Sequence, residues 1–250
     1  MGKPALLYDN RLADATPVAS DTASGYSVLN LVDWRPYTWW QPNSMPATVR
    51  VACGAAAAAD YCLVWGHDLG TQGATLEVRG STDGFVASDD LIETVSPAND
   101  SPFLLTFASA NYTDWGIALS GAARPSLAVV AIGAMLRMPK YFPGPWDPKK
   151  RKPIGQVQRS VSGQPLGRTI DYEEFSETIA QKNITWSWVR DSWEPAWKTH
   201  LRASPFGLAW DPENYPGEIY LLNSKDGFET PHRHGQYADL SCDVVGAWPV

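Results

Sequence analysis

Three runs between residues 47 and 79 decide the fold class: Ala47-Thr-Val-Arg-Val-Ala-Cys53, Tyr61-Cys-Leu-Val-Trp65 and Ala74-Thr-Leu-Glu-Val-Arg79. In the first, Val49 and Val51 alternate with Thr48 and Arg50; in the third, Leu76 and Val78 alternate with Thr75, Glu77 and Arg79. A period of two places one set of side chains on one face of a strand. The middle run is an apolar strand ended by Gly66, and Gly80-Ser-Thr-Asp-Gly84 after the third is a turn cluster. Working outward, 103–107, 112–119 and 127–136 continue the pattern with turn signals between them. This predicts a jelly-roll β-sandwich over residues 1–139. The alanine run Ala55–Ala59 is too short for a lone helix and reads as a connecting turn.

Composition agrees with a mostly β chain. Its 250 residues include 12 Trp, 20 Pro and 20 Gly. Breakers at that density suit short strands and tight turns, and a helical protein would not tolerate them. With 44% hydrophobic and 19% charged residues, the chain can bury a core. A net charge of −7 argues against a nucleic-acid partner, which needs clustered positive charge. The longest apolar stretches, near 53–65 and 126–136, fall short of the roughly 20 residues needed to span a bilayer, so no membrane insertion is expected. The start of the chain, residues 1–14, has no apolar core of signal-peptide type, which predicts no secretory segment. Cys53, Cys62 and Cys242 stand at no metal-like spacing and read as buried thiols of a protein made in a reducing compartment. No cofactor is expected.

Residues 140–156 hold four prolines and the basic run Lys149-Lys150-Arg151-Lys152, without periodicity, and read as a linker. The four cations are either a solvated stretch or candidates for contact between subunits. Residues 157–250 read as a second β-rich module with one short helix. Two extended candidates run over 170–182 and 183–189, with Ile184, Trp186 and Trp188 on one face. The helix is predicted over Asp191–Arg202, where Trp193, Trp197 and Leu201 form one stripe, Ser192 is a cap and Pro195 lies in the first turn. Further strands are predicted over 206–210, 219–222 and 238–245.

Few residues suggest chemistry. His232 and His234 form a His-x-His pair, a weak metal candidate lacking a third ligand at familiar spacing. His67-Asp68 hints at acid–base work, but a histidine in a strand-end turn more often makes a structural hydrogen bond. Asp89-Asp90 and Glu173-Glu174 are neighbours in sequence, whereas a glycosidase needs carboxylates facing each other across a cleft. A nucleophile elbow and a phosphate-binding loop are both missing, so no enzyme is expected. The aromatic segment with Trp34, Tyr37, Trp39 and Trp40 is the best binding candidate, its rings serving either an exposed contact surface or the end of a sandwich core.

Residues 29–83 resemble the galactose-binding, discoidin-like jelly roll. The resemblance rests on Leu29-Asn-Leu-Val-Asp-Trp34, the strand Thr48–Cys53 closing on Gly54, Gly66-His-Asp-Leu69 with Asp68 where such domains usually have Asn, and Gly73–Val78. The whole chain is also similar to tail-tip proteins of long-tailed bacteriophages, through Gly163-Gln-Pro-Leu-Gly-Arg168, Trp186-Ser-Trp188, Pro205-Phe-Gly-Leu-Ala-Trp-Asp-Pro212 and Tyr237–Gly246. That second resemblance implies a structural, distal-tail-like or baseplate component of the virion tail, synthesised in the host cytoplasm. Its partners would be copies of itself in a ring and neighbouring tail-tube, hub or tail-tip proteins. The alternative is a carbohydrate-binding adhesin recognising a host surface glycan through Trp34, Tyr37, Trp39, Trp40 and His67. A weaker option is a metal-dependent hydrolase using His232 and His234.

Overall fold

A computed structural model describes residues 2–247. The chain is mostly β, as expected. Its first half contributes strands β1 (Ala5–Leu7), β2 (Val18–Ala19), β3 (Ala47–His67), β4 (Thr75–Ser81), β5 (Asp90–Val95), β6 (Phe103–Ser120), β7 (Leu127–Gly133) and β8 (Leu136–Arg137). Strands β3 and β6 are long enough to serve two layers. The first half of β3 pairs with β2 and with the end of β6, which pairs in turn with β4, and β4 with β5. The second half of β3 pairs with the start of β6 on one side and with β7 on the other. The two layers close a jelly-roll sandwich.

The corner between them is the alanine run. Ala55–Ala59 lies inside β3 and is not a connecting turn; the β3–β6 register shifts between Ala52 and Ala57 and again between Ala59 and Tyr61. Gly54 opens the corner with φ of +74°, a left-handed backbone conformation that disfavours a β-carbon. Small side chains let the strand bend, and the Trp115 indole N–H anchors the bend by donating to the Ala57 carbonyl at 3.0 Å.

Alternation places Val49, Val51, Leu76, Val78, Trp115 and Ile117 inside the sandwich, facing Cys62, Val64, Val130 and Ile132. The other face of β3, with Tyr61, Leu63 and Trp65, is buried as well. It packs on Ala5 and Leu7 of β1 and on Ala209, Ile219 and Leu221. Those last three belong to the second sheet, whose strands are β9 (Lys152–Arg159), β10 (Pro165–Thr185), β11 (Phe206–Ala209), β12 (Ile219–Glu229), β13 (His232–His234) and β14 (Tyr237–Ala247). Its order is β8-β1-β11-β12-β14-β10-β9, with β13 on β14. Strand β1 thus pairs with β11, across 200–204 residues of sequence, and not with the sandwich of the first half.

The far face of this sheet buries Phe175, Phe206, Leu208 and Tyr220 under a helical segment, 186–201, that contributes Val189, Trp193, Ala196 and Leu201. The helix begins five residues before its expected start. Its cap is Thr185, whose hydroxyl accepts the Trp188 N–H at 3.4 Å, and not Ser192. Trp186 and Trp188 are therefore helical, not strand residues, and the two extended candidates are one strand, β10, bulged between Gln181 and Ile184. Pro195 sits mid-helix between wide π-type turns at 189–193 and 197–201. A proline removes an N–H and crowds the preceding turn, which a widened helix accommodates. Residues 140–151 carry no strand, but the expected linker passes into β9 at Lys152.

Candidate functional site

A groove of about 570 Å³ opens at the end of the sandwich where β3 stops and β6 and β7 begin. Its apolar wall is Tyr26, Pro36, Trp39 and Trp65, and its polar side is His67, Asp68, Asp100 and Ser126. The aromatic segment supplies Trp39, which is 41% exposed, while its neighbour Trp40 is fully buried. Trp40 is fixed from both ends: its backbone pairs with Leu127, and its indole N–H donates to the Thr22 hydroxyl at 3.1 Å. Because successive residues in extended backbone point to opposite sides, burying Trp40 in the sandwich core turns Trp39 outward.

The other expected contacts separate. Trp34 is buried between the sandwich and the second sheet, with a left-handed φ of 59° and its ring 5.7 Å from that of His200. Neither Trp34 nor Trp40 lines the groove. Tyr37 is exposed but stands outside the groove lining. His67 does line it, as a pinned residue. Its Nδ1 accepts the Leu69 N–H at 3.3 Å, so Nε2 carries the proton and donates to the Ser101 carbonyl at 2.9 Å. Burial lowers its pKa, which favours the neutral ring.

Both carboxylates are held in place. Asp68 accepts the Ser126 N–H at 2.6 Å on one oxygen and the Gln72 amide at 3.2 Å on the other. Asp100 accepts the Thr71 hydroxyl at 2.5 Å and the Thr71 N–H at 2.9 Å, and these bonds lower its pKa. Gly70 makes this junction between loops feasible, since a β-carbon there would lie 2.5 Å from the Asn99 backbone. A carboxylate offers about four lone-pair sites, so each retains capacity for a ligand hydroxyl. Tyr26, Trp65 and Asp100 were not singled out by the sequence. Tyr26 follows Gly25 in a turn closed by its N–H to the Ala23 carbonyl, and the Ala23–Gln41 backbone bond, with the Trp40–Thr22 bond, brings that turn beside Trp39.

The remaining candidates lie elsewhere. Each of the four cations of the basic run is paired within the chain: Lys149 with Glu218 at 3.2 Å, Lys150 with Glu177 at 2.7 Å, Arg151 with Glu173 at 3.1 Å and Lys152 with Glu174 at 3.9 Å. The run lashes the 140–151 segment onto the second sheet. His232 and His234 are exposed on β13, where His232 Nδ1 accepts the Trp186 indole N–H at 3.3 Å and the His234 ring lies 5.5 Å from Tyr237. Among the described residues, no group of three or more His, Cys, Asp or Glu side chains is arranged to hold a metal. Burial pushes the thiols of Cys62 and Cys242 up to about 12, so neither is nucleophilic near neutrality.

No family model matches the chain, and no curated protein matches it. Solved structures similar to part of it include the CBM32 of AlyQ in complex with 4,5-unsaturated mannuronic acid, at 18% identity and a TM-score of 0.40, over 50% of this chain and 96% of that one. The CpGH89 CBM32-5 from Clostridium perfringens, in complex with GalNAc-β-1,3-galactose, matches at 14% identity and a TM-score of 0.44, over 51% of this chain and 99% of that one. A pectin-binding carbohydrate-binding module matches at 17% identity and a TM-score of 0.40, over 47% and 88%. At such scores these likenesses assign no ligand, and each leaves about half of this chain without a counterpart.

Proposed function

We propose that the chain is a non-catalytic glycan-recognition protein whose binding site is the groove at Trp39. The observation that carries this reading is a large indole, 41% exposed and held by its buried neighbour, facing carboxylates locked by backbone and side-chain donors. A flat aromatic face suits the C–H face of a sugar ring, and fixed acceptors suit its hydroxyls. The lining contains two carboxylates and no Lys or Arg, which favours neutral over anionic sugars. The test is a glycan array followed by calorimetry on the best neutral ligand. Trp39→Ala is expected to weaken binding about tenfold, or about 1.4 kcal/mol, with stability changed by no more than about 1 kcal/mol. Absence of any bound glycan, or unchanged affinity in Trp39→Ala, would sink the reading.

A second reading, a structural component of a bacteriophage tail located in the virion, draws support from one feature. The β9–β10 hairpin carries exposed apolar side chains that suit contact with another subunit. It predicts that the protein is present in purified virions and forms a ring in isolation. A protein missing from such particles would leave the glycan reading alone.

A further inference from the structure

The β9–β10 hairpin is built unlike the rest of the molecule. From residue 158 to 172 its residues are exposed on both faces, apart from a partly buried Ser160 in the loop. Val157, Leu166, Ile170 and Tyr172 are each more than half exposed. Strand β9 ends the second sheet, so its outer backbone groups face no strand among the described residues. Open, apolar edges of this kind are the ones proteins cover or pair.

The charge of its outer part is one-sided. Residues 155–170 hold Arg159 and Arg168 and no acid, while Asp171, Glu173 and Glu174 lie nearer the base of the hairpin, where Arg151 and Lys152 pair with Glu173 and Glu174. On the hairpin itself Arg159 and Arg168 bond only carbonyls, those of Gly163 and Pro153, and among the described residues neither is ion-paired. The opposite bias lies in the first sandwich, where residues 80–123 hold six acids and no Lys or Arg. That stretch contains β5, the other long open edge, where Asp90 and Glu93 stand beside Leu91 and, in the preceding loop, Val86, both more than half exposed. Symmetric pairing of two β9 strands over their whole length would set Lys152 against Arg159, and like charges directly opposite destabilise a ladder.

We infer that the hairpin is a docking arm whose occupant is a second copy of this chain, with the cationic, apolar β9 edge seated on the acidic, apolar β5 edge of the next copy. The contact is heterologous: each copy offers one edge of each kind, so association continues past a dimer into a closed ring or an open row. It involves no residue of the groove and stands whatever the groove binds.

Sedimentation velocity of the full chain, from micromolar to about 1 mM, tests this. Wild type is expected to form species larger than a dimer with rising concentration, and to lose them in high salt. Arg159→Glu with Arg168→Glu, and separately Glu93→Lys, are each expected to weaken association at least tenfold. Combining all three is expected to restore much of it. Arg159 and Arg168 are exposed and Glu93 is half-buried, and unfolding midpoints measured for each variant verify that the fold is kept. A wild type that stays monomeric throughout, association indifferent to either charge reversal, or a combined variant no better than the singles each overturns the proposal.

Discussion

The second half of β3 with β7, and the β9–β10 hairpin, use the same vocabulary and meet opposite fates. Tyr61, Leu63, Val64, Val129 and Val130 are buried whichever way they point, because the sandwich core lies on one side and the second sheet on the other. Val157, Leu166, Ile170 and Tyr172 project from a hairpin with neither face covered. Apolar content made both segments strands; what covers a strand is decided by the rest of the chain. The strands buried on both faces are continuous apolar runs, Tyr61–Trp65 and Leu127–Ile132, whereas the hairpin interleaves Gln, Arg, Ser and Thr.

The largest contrast comes from placing a charge in each segment. Val129→Asp puts a carboxylate between two sheets with no partner, and a loss of about 4–5 kcal/mol or more is expected, enough to prevent accumulation of folded protein. Val157→Asp on the hairpin is expected to leave the unfolding midpoint within a degree or two of wild type, a change of about 0.5 kcal/mol or less. Thermal unfolding of the two variants checks this; equal destabilisation would mean that the hairpin is packed.

Truncation gives a finer measure. Leu63→Ala is expected to cost about 2–5 kcal/mol, through lost transfer energy and the cavity left between the sheets. Ile170→Ala is expected to cost no more than about 0.5 kcal/mol. Trp40→Ala and Trp39→Ala repeat the contrast one residue apart. The first loses a buried ring and about 3–5 kcal/mol, while the second should leave stability within about 1 kcal/mol and change only what the groove binds. Chemical denaturation midpoints at constant slope separate these cases.

What could be read from the sequence follows from how local each feature is. The alternation in 47–53 and 74–79 carries its own evidence, and both segments are strands facing the sandwich core as expected. The alanine corner was misread because bending depends on the register against β6, more than fifty residues away. The early start of the helix is masked in the sequence because Ile184, Trp186 and Trp188 fit a period of two, while the Thr185 cap turns the chain into a helix at Trp186. At the groove, Trp39 was legible as an aromatic in a loop. Its separation from Trp34 and Trp40 was not, since Leu127 and the second sheet decide which rings are buried. Asp100 carries no local signal because contacts across about thirty residues of sequence, the Gly70–Asn99 approach and the Thr71 bonds, bring it to the site.

The smallest expected effect concerns His67, which joins the groove to the strand buried on both faces. Its pKa is lowered in the folded chain, chiefly by burial, against weaker raising contributions from the Ser101 carbonyl, Asp100 and Asp68. The unfolded chain therefore binds a proton first as pH falls below the ordinary histidine value of about 6.5. Where the unfolded state holds more protons, stability falls with pH, so the loss begins there and ends below the folded pKa. Above that window His67 is neutral in both states and adds no slope. His67→Gln keeps an acceptor and a donor without a titrating ring, and the stability difference between pH 7 and pH 5 should shrink in the variant. Denaturation series at the two pH values decide it: an undiminished difference would mean that the imidazole is hydrated and that the wall it forms is looser than its two hydrogen bonds imply.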